Sequence, residues 1–142
     1  MNKPLINKII FFFSLFIIVL SFNCCNKDDL KTAIQGSWVI DKMTYLNEPC
    51  IDAFLVNMIN VNEGTMIIPV RKGYNRQYGM DSAYWTLKKN SMIYMIDIKA
   101  HDPLFDGRFQ VDYNHKDKSK VARMTLTSDS VFISCQKTPE LN

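Results

Sequence analysis

Short apolar stretches separated by turn residues run from about residue 36 to residue 138, and none of them shows a convincing helical period. Within several stretches apolar and polar side chains alternate, which is typical of a β-strand with one buried face. The pattern predicts eight strands: Ser37–Tyr45, Phe54–Val61, Thr65–Val70, Ser82–Lys88, Met92–Lys99, Gly107–Asn114, Lys120–Thr127 and Ser130–Gln136. A short helix over Pro49–Phe54 is an alternative there. Turn residues at 62–64, 89–91 and 128–130 predict tight connections and therefore antiparallel neighbours.

The alternation assigns one apolar and one polar face to each strand. Met92, Tyr94, Ile96 and Ile98 share one side of the fifth strand. The same face of other strands carries Ala83, Trp85, Leu87, Phe109, Val111, Tyr113, Ala122, Met124 and Leu126. About eight antiparallel strands have edges to protect, and closure into a barrel removes them. We therefore expect an all-β fold, a single up-and-down antiparallel barrel over residues 36–138.

Residues 1–24 have the pattern of a signal peptide. Lys3 and Lys8 are followed by the run Ile9–Leu20, which is apolar apart from Ser14. This run is too short to span a bilayer comfortably and suits the apolar region of a signal peptide. An uncleaved membrane anchor is the alternative interpretation.

The apolar run stops at Ser21-Phe22-Asn23-Cys24-Cys25, which resembles a bacterial lipobox, where a cysteine becomes the lipidated first residue. We favour Cys25 over Cys24, because the following Lys27, Asp28 and Asp29 resemble the surface-export signal of Bacteroidetes lipoproteins. The resemblance implies an N-terminal lipid that attaches the chain to the outer membrane, facing the cell surface. Residues 25–35 are then the lipidated cysteine and a polar tether, and a solvated tether without an export signal is the alternative.

Three segments of the remaining chain, Gly36-Ser37-Trp38, residues 59–65 and residues 124–130, resemble the lipocalin-like domains of Bacteroidetes lipoproteins. The resemblance implies that Trp38 plugs the closed end of the barrel. Lipocalins place an arginine over that tryptophan, and Arg123 is the nearest candidate, one strand early.

A barrel of about eight strands is either packed solid or holds one small ligand. Seven methionines remain after the leader, and flexible thioethers suit an apolar pocket as well as an irregular core. If the interior is open, the residues expected to line it are Trp85, Met92, Tyr94 and Met124.

The net charge and the absence of known motifs argue against several classes of function. The chain has 17 basic and 14 acidic residues, and removal of Lys3 and Lys8 with the leader leaves a net charge of +1. That balance argues against a nucleic-acid partner. We find no catalytic or phosphate-binding motif. The histidines, His101 and His115, fall in predicted loops beside acids. We therefore expect no enzyme activity, cofactor or metal.

Two further features leave alternatives open. Cys50 follows the first strand and Cys135 ends the last, so barrel closure and an oxidising compartment favour a disulfide between them; two free thiols are the alternative. The loop of residues 71–80 interleaves basic residues with tyrosines. It caps the barrel mouth, recognises an anionic group or is a solvated connection.

The leading functional hypothesis is a lipid-anchored binding protein that holds a small apolar ligand or presents its loops to a partner. The alternative is an interaction or inhibitor lipoprotein with a filled barrel and no small-molecule ligand. The protein partner is not identified by the sequence.

Overall fold

A computed structural model describes residues 29–73, 79–115 and 121–138. The chain divides into two compact units, residues 1–32 and residues 33–142. The described part of the first unit belongs to a short helix, α1 (Asp29–Ala33), which ends at the boundary.

The second unit is built from strands, as the alternating sequence predicts. The described strands are β1 (Gly36–Tyr45), β2 (Glu48–Pro49), β3 (Met58–Asn62), β4 (Thr65–Pro69), β5 (Met80–Asn90), β6 (Ile93–Lys99), β7 (Gly107–His115), β8 (Ala122–Thr127) and β9 (Val131–Lys137). A single 3₁₀ turn, Ile51–Ala53, stands between β2 and β3.

All strand pairs are antiparallel, and the sheet closes on itself. The strand order is β1-β3-β4-β5-β6-β7-β8-β9, and β9 pairs back onto β1 from Trp38↔Lys137 to Tyr45↔Val131. A bulge lies between Ile40 and Lys42 in this seam. The two-residue strand β2 adds to the end of β1. The predicted all-β, up-and-down barrel of eight strands is confirmed, with one extra short strand.

The barrel has two ends, which we name by their connections. At the lower end β1 begins, and the β3–β4 and β5–β6 turns lie there. At the upper end lie the β1–β2 hairpin, the β6–β7 loop and the β8–β9 turn.

The inward-facing residues of every barrel strand are buried in the interior. In β8 the buried positions alternate strictly, at Ala122, Met124 and Leu126. The other buried inward side chains are Trp38, Ile40, Met43, Ile59, Val61, Met66, Ile68, Ala83, Trp85, Ile96, Ile98, Phe109, Val111, Val131, Ile133 and Cys135. Burial of this apolar surface is the main force that closes the sheet.

Most strand boundaries lie within two residues of the predicted ones, and two differences matter more. The second predicted strand was expected to start at Phe54, but the corresponding strand, β3, starts at Met58, and the 3₁₀ turn agrees with the helical alternative over Pro49–Phe54. The polar tether was expected to run to residue 35, but its last part is folded: Ile34 is completely buried. A few apolar residues in a polar run are a weak signal, and only packing reveals their role.

Candidate functional site

Trp38 lies at the lower end of the barrel. Its side chain is fully buried, and its indole Nε1–H donates a hydrogen bond to the carbonyl of Ile34 at 2.7 Å. The ring of Tyr113 meets it edge to face, with the centroids 6.3 Å apart. Trp38 is therefore buried at the end of the barrel where β1 begins, and its role as a plug stays a prediction.

The cation over Trp38 is Lys137 and not Arg123. The Lys137 ammonium lies 5.7 Å from the Trp38 ring and donates to the Ala33 carbonyl at 3.1 Å. Arg123 points outward and pairs with Asp41 at 3.2 Å. Gly36 lies close to the lysine: a Cβ there would sit 3.0 Å from Lys137 Cε, and its φ of +115° disfavours any other residue.

The second tryptophan, Trp85, also lies towards the lower end of the barrel. Trp85 is buried, and its indole N–H is shared between the carbonyls of Asn62 and Thr65, at 2.8 and 2.9 Å. These carbonyls bracket the β3–β4 turn. The hydrogen bonds give Trp85 a structural role in fixing that turn, whether or not it also lines a ligand site.

The other three residues predicted to line a ligand site differ in burial. Met124 is buried in the interior, and Tyr94 is half-buried beside Lys89. The prediction for Met92 is wrong: its side chain is 91% exposed. It lies in the β5–β6 turn, before β6 starts at Ile93, so strand alternation does not extend to it.

A cap of loop residues covers the upper end. Phe54, between the 3₁₀ turn and β3, and Phe105, from the β6–β7 loop, are both buried and stack edge to face at 5.7 Å. Arg71 pairs with the buried Asp102 at 2.8 Å, which links the start of the β4–β5 loop to the β6–β7 loop. Asp102 also accepts the backbone N–H of Leu104. Part of the 71–80 loop therefore does contribute to the barrel mouth, through Arg71; residues 74–78 lie outside the described residues.

The predicted disulfide is wrong, because Cys50 and Cys135 are both free thiols. They flank β1 on opposite sides: the Cys50 N–H donates to the carbonyl of Met43, and Cys135 pairs with Ile40 across the β1–β9 seam. Two strand spacings of about 4.8 Å exceed the Cα separation that a disulfide spans, up to about 7 Å. Burial raises the pKa of Cys135 to about 12 and also raises that of Cys50.

The β1–β2 hairpin stands out at the upper end. Its two-residue turn, Leu46-Asn47, has positive φ at both positions, +49° and +68°. A hairpin turn of this kind favours Asn or Gly, and a bulky leucine there is strained. Leu46 is nevertheless 62% exposed, while its N–H is held by the Ser130 carbonyl at 2.7 Å.

The β8–β9 turn (128–130) lies beside this hairpin and separates two open grooves. One, of about 500 Å³, is lined by the turn together with Lys42, Leu46 and Phe132. The other, of about 520 Å³, is lined by the turn with Met95 and Arg108. The hairpin, this turn and the two grooves form what we call the upper rim.

Ion pairs connect neighbouring strands on the outer face of the barrel. Hydrogen bonds from Arg108 and Lys88 hold the pKa of Asp97 at about 2, well below its usual value. Burial works against ionisation of Asp41, but hydrogen bonds from Ser134 and Gln136 and the charge of Arg123 outweigh it and lower its pKa.

These outer-face residues lie on strands and are paired with one another.

The histidines do not converge on a metal site. His101 is exposed, with its Nδ1 3.2 Å from Asp81, and His115 is the last residue of β7. Within the described ranges, no group of three or more His, Cys, Asp and Glu side chains could hold a metal ion.

The predicted lipidation residues, Cys24 and Cys25, and two residues of the export signal, Lys27 and Asp28, lie outside the described residues, and Asp29 begins α1. In the part of the chain that the structure covers, no helix has the length and apolar character needed to cross a membrane.

Sequence reasoning missed the upper rim. A signal was present, since Asn47 lies between two β-prone segments and asparagine is common in two-residue hairpin turns. Lys137 was missed because it lies one residue beyond the predicted last strand.

Comparison with known proteins adds no relative: no protein-family model, curated protein or solved structure matches this chain.

Proposed function

We propose that this chain is a lipid-anchored interaction protein, a filled barrel at the outer membrane that faces the cell surface and presents its upper rim to a protein partner. The observation that supports it best is the burial of large apolar side chains along the described interior. Trp38 is buried at the lower end, Phe54 and Phe105 are buried at the upper end, and inward-facing apolar side chains lie between them. A barrel of this size can be fully packed and still support function on its loops.

The upper rim is the preferred docking region for two reasons. The domain begins at the lower end, so an N-terminal lipid would attach that end to the membrane and leave the upper end free to reach a partner. The strained, exposed Leu46 is the second reason, because strain that a fold retains at an exposed position is a mark of function. We assign Leu46 as the anchor side chain for an apolar pocket on the partner.

Native mass spectrometry of the protein purified from its own host tests the filled barrel. We expect the mass of the acylated chain alone. A second mass of a small apolar molecule, released when the protein is denatured, would contradict the proposal.

Crosslinking tests the partner. A photoreactive residue at position 46, in intact host cells, should give one discrete adduct that mass spectrometry identifies as a protein. The control position is Tyr84, which is 70% exposed on the side wall of the barrel. Equal labelling from both positions, or none from position 46, would refute the assignment of the rim.

A carrier of a small apolar ligand is the second candidate. It is favoured by the upper cap, where an ion pair, Arg71–Asp102, links two loops above the interior. Opening that cap would expose Met43 and Phe54 to a ligand. The mass measurement above decides between the two functions.

The anchor has its own test. Cys25→Ala should abolish acylation, and Cys24→Ala should be tolerated; intact-mass analysis of the mature N-terminus reads both. Replacing Lys27, Asp28 and Asp29 with alanine should leave an acylated protein that whole-cell protease treatment no longer reaches.

A further inference from the structure

The β5–β6 hairpin extends beyond β4 at the lower end, while β6 stays paired with β7 as far as Tyr94. β5 pairs with β4 only as far as Tyr84, but it continues opposite β6 to Asn90, six residues further. The chain enters β1 at the same end, at Gly36. The hairpin tip and the start of the domain therefore point the same way.

The tip of this hairpin is apolar and exposed. Ser91 adopts a φ of +55°, Met92 is 91% exposed and Ile93 is 48% exposed. Exposed apolar residues at the tip of a hairpin gain no stabilisation from water, and their transfer into an apolar phase is favourable.

The stem of the hairpin is basic. Lys88 and Lys89 precede the tip, and the segment 82–96 contains no carboxylate. Lys88 is paired with Asp97 on the outer face, while Lys89 lies 5.2 Å from the half-buried ring of Tyr94. Lysine and tyrosine above an apolar tip is the arrangement that membrane–water interfaces favour, and anionic headgroups attract such cations.

The length of the tether limits where the lower end can go. Ten residues separate Cys25 from Gly36, and α1 uses five of them. Helical residues advance about 1.5 Å and extended ones at most about 3.6 Å. A lipid on Cys25 therefore keeps the start of β1 within about 30 Å of the headgroups.

From these observations we infer that the β5–β6 hairpin is a membrane-contact element: Met92 and Ile93 insert into the interface of an anionic lipid surface, and Lys89 and Tyr94 lie at the headgroups. This inference rests on the proposed lipid anchor. It fixes the orientation of the barrel, with the lower end down and the upper rim presented outward. A single lipid tether alone would let the domain tumble.

Depth-dependent fluorescence quenching tests the inference. The acylated full chain carrying Met92→Trp is reconstituted into phosphatidylethanolamine–phosphatidylglycerol vesicles that contain lipids brominated near the top of the acyl chains. The matched control is Leu46→Trp, which adds an exposed tryptophan at the opposite end. Trp38 and Trp85 are buried and contribute the same background to both variants.

The inference predicts loss of most of the added emission for Met92→Trp and no loss for Leu46→Trp. Hydrogen exchange of the unsubstituted acylated chain is the control for insertion that the new tryptophan itself would cause. Amide exchange at Met92 and Ile93 should slow on the vesicles, and exchange at Asn47 should not change.

Co-sedimentation separates the two proposals. Protein that sediments with the vesicles, but shows equal quenching at positions 92 and 46 or unchanged exchange at the hairpin, overturns the membrane-contact element and leaves the anchor intact. If the chain purified from a strain that acylates lipoproteins does not sediment with the vesicles, the proposed anchor is overturned, and the inference is overturned with it.

Discussion

Replacement of Leu46 by asparagine should make this protein more stable. Leu46 has a φ of +49° at the first turn position of the β1–β2 hairpin. A left-handed backbone costs an ordinary L-residue roughly 1–2 kcal/mol, and asparagine adopts it more readily because its short polar side chain bonds locally. The hydrogen bond from the residue 46 N–H to the Ser130 carbonyl does not depend on the side chain.

The loss of side-chain burial offsets part of this gain. Leu46 is 62% exposed, so just over a third of the side chain is buried. Full burial of a leucine contributes about 1.5–3 kcal/mol, and that fraction contributes about 0.6–1 kcal/mol. The net expectation is a gain of about 0.5–1 kcal/mol in the free energy of unfolding, or an increase of about 2–8 °C in Tm for a domain of this size.

Urea and thermal unfolding of the Leu46→Asn variant measure this difference. The matched control is Met92→Asn, which makes the same kind of change at an exposed position of the other hairpin that is not left-handed. An exposed substitution there should fall within about ±0.5 kcal/mol of zero. If Leu46→Asn is no more stable than Met92→Asn, the turn is not strained and the argument for Leu46 as a functional residue fails.

Three further outcomes are expected. Trp38→Ala should cost about 3–5 kcal/mol in unfolding free energy, measured by urea denaturation, because it removes a fully buried aromatic side chain at the lower end. Alkylation of the denatured, unreduced chain should modify both Cys50 and Cys135, with peptide mapping as the readout, whereas Cys135 should resist alkylation in the native state. The pKa of Asp97 is lowered to about 2, so its ion pairs stabilise the fold above the unfolded value of about 4 and that stability is lost as the pH falls from about 4 towards 2. Unfolding measured over this range should therefore show a smaller pH dependence in Asp97→Asn than in the wild-type protein.

The sequence by itself determined which residues form strands and which side of each strand is buried. Because the side-chain period of a strand is two residues, the alternation at Ala122, Met124 and Leu126 indicates both a strand and its buried face. The same local signal, with tight turns between strands, was enough to predict a meander. The unpaired backbone groups at the two edges of a meander favour its closure into a barrel. These features depend on neighbours a few residues apart.

Tertiary structure decided how distant residues meet at the two ends of the barrel. Lys137, in the last strand, lies over Trp38 in the first, and Arg71 pairs with Asp102 across two loops. Neither pair has a local signature, because register and strand tilt, not sequence spacing, set the level at which each side chain leaves the sheet.

The cysteines show the limit of reasoning from topology alone. The sequence correctly made β1 and β9 neighbours, yet Cys50 lies across β1 from Cys135 because the β1–β2 hairpin folds back on the opposite side of that strand. Met92 shows the same limit at a hairpin tip, where alternation ends with the strand pairing. A one-dimensional pattern gives the face of a residue, and only the folded sheet gives its depth and its partner.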